Sequence, residues 1–466
     1  MARTIMTGIN VTIEKMTRRG TLAGVFGAYT YAALLVAGPW IFTVLGLFSL
    51  GNGCTGNCID LTIFRSVIIY NSMYALIVTS PMAFVCGRFV AQQVQSGCCD
   101  NVFYALILSV GAFSLLTLAG VAPFYIFATT LDDTEKVASI HNAIMVGCSW
   151  LLIPFLGGVR AYNAVLIAFG AGAVSMFLFG NALHEPRAAT LLLAFNGGFA
   201  ITNLIMLGNV VYRFGSRVVV DGRLKDSLIR HWELPVAGLI YALGLWIDKI
   251  IMWHAAPSGR LVVAGALQTM PSYDTAMFWA QLSSIPIIAV FFVHVETQFS
   301  VMTHNYHTRM QQRATLRELN EIVSNVGTYV LSSMFALFAA LSIVAGMMIL
   351  LSLVLMPELG LRPAYMGTLR ISLCSMAFYT SAMFCFTFLL HLDLRRPALL
   401  IVLTFLVLNA GLTLALLPLG PDFYAYGNMI AAAVSLLVGF SLVLRELSWL
   451  HFHAFVTNNP SLSGSP

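Results

Sequence analysis

The stretch LAGVFGAYTYAALLVAGPWIFTVLGLFSL, residues 22–50, carries no charged side chain. It is long enough to cross a bilayer, because a spanning helix needs about 20 mostly apolar residues. It is also longer than the short apolar core of a cleaved signal peptide, so we expect it to remain in the mature protein as a first span. Four basic residues precede it, namely Arg3, Lys15, Arg18 and Arg19.

Runs of the same kind recur along the whole chain. The sequence is 59% hydrophobic and 9% charged, with a mean hydropathy of +0.86. Soluble domains carry about 25% charged residues, so a soluble surface of this size is excluded. We predict an all-α polytopic membrane protein with about 12 transmembrane helices in two six-helix bundles. The predicted spans are 22–49, 62–86, 102–129, 140–162, 163–183, 188–212, 233–254, 274–297, 324–354, 367–391, 397–418 and 425–444.

The distribution of basic residues predicts the orientation. Most of the 24 Lys and Arg residues fall in segments that share a side with the amino terminus, so we place both termini in the cytoplasm. The longest polar interval before residue 290 runs from about 213 to 232, and it divides the twelve predicted spans six and six. The predicted regions are a cytoplasmic segment 1–21, a bundle 22–212, a cytoplasmic linker 213–232, a bundle 233–444 and a cytoplasmic tail 445–466.

Residues 299–322 combine apolar positions at helical spacing with an arginine stripe. This pattern is typical of an amphipathic helix on the cytoplasmic surface. A cytoplasmic extension of the eighth span fits the pattern equally well.

Charged residues inside predicted spans are the strongest functional signal, since each costs at least about 2.5–3.5 kcal/mol to insert. Asp248 and Lys249 lie late in the seventh span, and Asp274, Arg65 and Arg370 open other spans at a similar, outer depth. One interpretation is a polar substrate path or a coupling site. The other is a structural ion pair such as Asp248–Arg370. Adjacent helical residues point about 100° apart, so we do not expect Asp248 and Lys249 to neutralise each other.

A second charged group is predicted at the inner ends of the spans. His294 and Glu296 close the eighth span, while Arg88 and Arg160 close the second and fourth. These residues are either an inner gate or ordinary charges at the headgroup level.

Motifs for catalysis or cofactor binding do not occur. The chain has no G-x-x-x-x-G-K-[ST] phosphate loop, no G-x-S-x-G elbow and no H-E-x-x-H metal motif. We therefore expect no enzymatic activity, no cofactor, no metal site and, without a basic tail, no nucleic-acid partner. Cys54 and Cys58 share one short polar loop and could form a disulfide in an oxidising compartment.

Several short blocks of the sequence are distinctive, namely Gly8–Lys15 with Arg18–Arg19, Ala37–Trp40, the LGLWIDK block 243–249, Tyr273–Phe278, Ser284–Pro286, Val293–Phe299 and Ala314–Leu316. Together these blocks resemble the PelG family, the transporters of the Pel exopolysaccharide system. The resemblance implies a twelve-span member of the flippase superfamily that includes lipid-linked sugar flippases and multidrug exporters. It also implies a polysaccharide rich in N-acetylgalactosamine. The implied partners are a cytosolic glycosyltransferase and membrane subunits that include a cyclic-di-GMP receptor.

The resulting expectation is a bacterial inner-membrane exporter of Pel-type exopolysaccharide for a biofilm matrix. Its driving force is either chain elongation by a partner synthase or an ion gradient felt by Asp248. The alternatives are a lipid-linked oligosaccharide flippase, a MATE-like small-molecule exporter, a scaffold for a synthase and an integral-membrane enzyme. The resemblance brings no catalytic residues with it.

Overall fold

The computed structural model describes residues 22–51, 59–183, 187–220, 222–312, 315–358 and 365–449. Within these ranges the chain forms thirteen α-helices and one two-stranded hairpin. The helices are α1 (Leu22–Gly51), α2 (Ile59–Ser96), α3 (Val102–Pro123), α4 (Asp133–Gly157), α5 (Tyr162–Ala182), α6 (Ala188–Phe214), α7 (Arg223–Arg230), α8 (Glu233–Ala255), α9 (Pro271–Gln311), α10 (Leu316–Glu358), α11 (Met366–His391), α12 (Arg395–Leu416) and α13 (Tyr426–Ser448). A π-helical turn, Phe124–Ala128, continues α3, and the strands are β1 (Leu261–Ala264) and β2 (Leu267–Thr269).

The predicted spans correspond to the long helices. Ten helices in the described ranges are long and apolar enough to cross a membrane. Together with α1 and α9, which are not among those ten, they match the twelve predicted spans in number and order. The all-α polytopic fold is confirmed.

The fourth span was placed too late in the chain. We predicted 140–162, but α4 begins at Asp133 and ends at Gly157. Its start is fixed by a capping box, in which the backbone N–H of Asp132 donates to Glu135 Oε2 at 3.0 Å. The chain then turns before α5, with Arg160 in the left-handed region at a φ of 55°.

The segment 299–322 does not form a separate surface helix in the described residues. Helix α9 runs without interruption to Gln311, and α10 begins at Leu316. A capping box starts α10, since the N–H of Thr315 donates to Glu318 Oε2 at 3.2 Å and the N–H of Glu318 to Thr315 Oγ1 at 3.4 Å. In the described residues this segment continues the helix of the eighth span as far as Gln311, and its place at the cytoplasmic surface stays a prediction.

The chain folds into two compact units. The first unit is Arg19–Asp274, and the second includes Thr275–Pro466. Helix α8 belongs to the first unit because its backbone lies very close to α2: a Cβ added at Gly238 would lie 2.8 Å from the carbonyl oxygen of Ser80. The boundary of these units therefore differs from the six-and-six division at the 213–232 linker, which stays a prediction.

The second unit has its own apolar core. Leu337 and Leu341 of α10 pack with Ala377 of α11, and Phe291 and Phe384 cover them. Helices α12 and α13 approach closely, since a Cβ at Gly427 would lie 2.6 Å from the backbone nitrogen of Thr413. Small residues at such crossings are typical of helix packing in membranes.

Candidate functional site

A buried ion pair lies near the end of α8 in the first unit. The Asp248 side chain is fully buried, and Lys249 is 6% exposed. Lys249 Nζ lies 3.6 Å from Asp248 Oδ2, and the hydroxyl of Tyr273 donates to the same oxygen at 2.6 Å. Lys249 also donates to the carbonyl oxygen of Leu245 at 3.1 Å. We call Asp248, Lys249, Trp253, Tyr273 and Asp274 the acidic cluster.

The expectation that Asp248 and Lys249 would not neutralise each other is wrong. Their Cβ atoms do point apart, but the long lysine side chain bends back along its own helix and reaches the carboxylate. Arg370, the partner predicted for a structural pair, belongs to the second unit and is exposed. Its Nη2 lies 3.4 Å from Met366 Sδ.

Asp274 is held in the first turn of α9. Its two carboxylate oxygens accept from Trp253 Nε1, each at 3.0 Å, and Oδ2 also accepts from the N–H of Met270 at 3.0 Å. A carboxylate at this position also satisfies the free N–H groups of a helix start and interacts well with the helix dipole. Asp274 therefore fastens the beginning of α9 to the end of α8.

An aromatic layer continues the cluster to α2. The ring of Tyr70 stacks on Trp253 with centroids 4.6 Å apart, and Phe124 stacks on Tyr70 at 5.8 Å. The Tyr70 hydroxyl donates to the carbonyl oxygen of Gln268 at 2.6 Å and accepts from the Gln268 N–H at 3.2 Å. One tyrosine thus joins α2 to both α8 and the hairpin.

The hairpin between α8 and α9 was not predicted. Strands β1 and β2 pair antiparallel across Gly265 and Ala266. Gly265 has a φ of 62°, and a Cβ there would lie 2.7 Å from the carbonyl oxygen of Ala128, so glycine is required. The Ala266 N–H donates to that same oxygen at 2.8 Å. The β-branched pair Val262–Val263 followed by glycine was the signal that could have revealed it.

A chain of buried asparagines lies beside the aromatic layer and was also missed. Tyr125 donates to Asn71 Oδ1 at 2.9 Å, Asn71 Nδ2 donates to Asn142 Oδ1 at 2.9 Å, and Asn142 Nδ2 donates to Asn196 Oδ1 at 2.7 Å. Asn71 and Asn196 also donate to backbone carbonyl oxygens of α4. These bonds join α2, α4 and α6 with the turn that ends α3.

Three buried polar atoms near the cluster have no hydrogen-bond partner among the described residues. They are Asp248 Oδ1, Trp246 Nε1 and Gln268 Oε1. Lys249 Nζ lies 5.3 Å from the centre of the Trp246 ring. In the described ranges no group of three or more His, Cys, Asp or Glu residues is placed to hold a metal ion.

The chain matches one protein family over nearly its full length. The family is described as "PelG: Putative exopolysaccharide Exporter (EPS-E)", and the match covers residues 6–455. The chain belongs to the PelG family. No curated protein matches the sequence.

Solved transporter structures share the fold of this PelG-family protein. A MATE transporter in its bent conformation has a TM-score of 0.62 and 14% identity, over 96% of this chain and 99% of that one. A MOP superfamily transporter from Pyrococcus furiosus, whose binding pocket is described as having reverse polarity, has a TM-score of 0.59 and 13% identity, over 91% and 95%. An outward-facing multidrug resistance MATE transporter has a TM-score of 0.58 and 15% identity, over 90% and 96%. At these identities the likeness establishes the fold, which is that of MOP superfamily transporters.

Two of the blocks that resemble PelG proteins meet in the acidic cluster. Asp248 and Lys249 end the block 243–249, and Tyr273 and Asp274 begin the block 273–278. Sequence reasoning identified three of these four residues and missed the role of Tyr273 as the donor to Asp248.

Arg65 is the other predicted path residue of the first unit. Arg65 is exposed on α2, where its guanidinium lies beside the end of α1, since a Cβ at Gly51 would lie 3.3 Å from its Nη2.

The structure describes the side chains of two of the four predicted inner-gate residues. Arg88 is half-buried on α2, and Arg160 is exposed in the turn after α4. The side chains of His294 and Glu296 lie outside the described part of the structure, as do Cys54 and Cys58. An inner gate and the loop disulfide stay predictions.

Proposed function

We propose that this protein exports a Pel-type exopolysaccharide, rich in N-acetylgalactosamine, from the cytoplasm to the periplasm across a bacterial inner membrane. The observation that carries the proposal is the PelG family match over residues 6–455. The transporter fold supports it, and so does the strongly biased distribution of basic residues, which favours cytoplasmic termini.

The acidic cluster is our candidate for the polar element of the transport path. It lies at the end of the first unit where α2 and α9 begin and where α3 and α8 end. The predicted topology places this end on the side of the membrane opposite the cytoplasm. In this proposal it closes the outer end of the first unit between transport events. From the sequence, Arg65 and Arg370 are further candidates for the path, and Arg88, Arg160, His294 and Glu296 are candidates for its inner side.

The Asp248–Lys249 pair leaves two roles open, structural or functional. A neutralised pair with a tyrosine donor suits a structural role. The Oδ1 atom of Asp248 supports a functional role, because it has no hydrogen-bond partner among the described residues. A buried carboxylate oxygen without a donor destabilises the fold, and such groups in membrane segments are usually retained for function.

The proposed partners follow from the family resemblance. A cytosolic glycosyltransferase would supply the growing chain, and membrane subunits that include a cyclic-di-GMP receptor would control it. Membrane lipid surrounds the bundle, and the substrate is the polysaccharide itself.

The test is the amount and sugar composition of secreted polymer in a deletion strain, with and without the gene restored. We expect loss of an amino-sugar-rich polymer and its recovery on restoration. Unchanged polymer with altered drug tolerance would support a MATE-like small-molecule exporter instead. Accumulated lipid-linked oligosaccharide would support a flippase.

A further inference from the structure

The segment between α6 and α8 exposes a dense set of large apolar side chains. The exposed residues are Tyr212, Val218, Val219, Val220, Leu228, Ile229 and Trp232. Three of them lie on or directly after α7, where Ile229 is 62% and Trp232 52% exposed. We call residues 212–232 the α7 surface.

The same segment is basic. Its five basic residues are Arg213, Arg217, Arg223, Lys225 and Arg230, against the two acidic residues Asp221 and Asp226. Its exposed surface therefore combines positive charge with large apolar side chains.

Helix α7 uses its other face to pack on the first unit. Leu224, Ser227 and His231 recur at helical spacing and are the partly or fully buried positions of this stretch. Arg223 Nη1 also approaches Gln93 Oε1 of α2 at 3.5 Å. Leu228, Ile229 and Trp232 remain exposed beside this packed face.

The position of α7 identifies what those side chains meet. Both α6 and α8 span the membrane, so the short helix between their ends lies at the membrane surface. Apolar side chains exposed to water at that level are unfavourable, whereas insertion between headgroups and acyl chains buries them. Trp and Tyr are also the aromatic residues that favour this interface, and clustered Lys and Arg attract anionic headgroups.

We propose that the α7 surface binds anionic phospholipid, with Leu228, Ile229 and Trp232 inserted in the interface and Lys225 and Arg230 on the headgroup phosphates. Only His231 and Trp232 separate α7 from α8, which carries Asp248. Bound lipid therefore holds the start of α8 against α2 and stabilises the first unit. This inference does not depend on the identity of the exported substrate.

The first test follows the position of Trp232 in full-length protein reconstituted into nanodiscs. Brominated phospholipid quenches tryptophan within the bilayer, and acrylamide quenches it from water, so the difference between wild type and Trp232→Phe reports this one residue. For an inserted residue we expect stronger quenching by brominated lipid than by acrylamide. Quenching by acrylamide alone would place Trp232 in water and overturn the proposal.

The second test separates anionic from neutral lipid. Thermal unfolding is measured in phosphatidylcholine nanodiscs with and without phosphatidylglycerol, for wild type, for Lys225→Gln/Arg230→Gln and for the control Lys136→Gln/Arg260→Gln, which removes two positive charges elsewhere in the first unit. We expect phosphatidylglycerol to raise the unfolding temperature of the wild type and of the control. In Lys225→Gln/Arg230→Gln this rise should be much smaller. An equal rise in all three proteins would contradict the charge recognition. Shielding of Trp232 only when a soluble partner protein is added would assign the surface to protein and also overturn the lipid proposal.

Discussion

The two units bury different kinds of polar side chain. The first unit buries Asp248 and Lys249 fully and holds Asp274 by three donated bonds next to them. In the described part of the second unit, the buried polar residues are neutral except Glu446, which lies near the end of α13 and pairs with Arg445. Among the described residues, buried charge is therefore concentrated in the first unit.

This difference indicates a division of roles. The second unit uses small neutral contacts, such as the hydrogen bond from Ser375 to Asn428 at 2.5 Å, that join helices at little cost in membranes. The first unit carries the costly groups, together with a hairpin and an aromatic layer that fasten them at one end. Costly intramembrane charge is usually retained for function.

The largest expected effect comes from Asp248→Asn. The substitution leaves the Lys249 ammonium buried without its counter-charge, a loss that costs about 3–5 kcal/mol in buried pairs. We expect secreted polymer to fall strongly even at matched protein levels, because the substitution also removes the carboxylate that we propose for the transport path. Polymer is measured at matched membrane levels of the protein. The control Asp422→Asn removes an exposed carboxylate from the second unit and should leave export unchanged.

A reversible disulfide cross-link tests whether the hairpin end of the first unit must open during transport. Ala128→Cys/Ala266→Cys places thiols on two residues whose backbones are joined by a 2.8 Å hydrogen bond, and formation of the disulfide is checked by thiol titration before export is measured. We expect export to stop under oxidising conditions and to recover with reductant. Each single cysteine variant serves as a control. Full export by the oxidised double variant would mean that this end stays closed during transport.

Asn142→Ala tests the asparagine chain as a scaffold rather than a path. It leaves Asn196 Oδ1 without its donor and removes one of two acceptors of Asn71. We expect the free energy of unfolding to fall by about 1–3 kcal/mol, with export per folded molecule nearly unchanged. Thermal unfolding in detergent and polymer secretion measure the two effects. Lost export with unchanged stability would place Asn142 in the path.

The smallest effect is expected for Ser375→Ala in the second unit. The change removes the donor to Asn428 and should lower the free energy of unfolding by about 0.5–1.5 kcal/mol. Export should stay at the wild-type level. A loss as large as that of Asp248→Asn would abolish the proposed contrast between the units.

The sequence was sufficient for those features that depend on apolar length and on charge. Twelve spans follow from runs such as 22–50, because lipid requires that length, and Asp248 stands out because charge is costly at that depth. Partners were harder to predict. Lys249 reaches its neighbour through a flexible side chain, and Tyr273 reaches Asp248 from the start of another helix. Neither contact follows from helical spacing.

The hairpin and the asparagine chain show the same limit. Strands β1 and β2 are too short for a clear alternating pattern, so the hairpin was missed and only its glycine turn could have revealed it. Asn71, Asn142 and Asn196 each interrupt a different apolar helix, and only tertiary packing brings them together.

The most direct test of the central claim, that the acidic cluster serves export, compares Asp248→Asn with Asp248→Asn/Lys249→Gln. Removing both charges eliminates the uncompensated lysine, so it should restore folding if the single variant is unstable. The measurement is secreted polymer at matched levels of folded protein in the membrane. We predict that the double variant is as stable as wild type but still fails to export. Export restored to the wild-type level would contradict this account and make the pair purely structural.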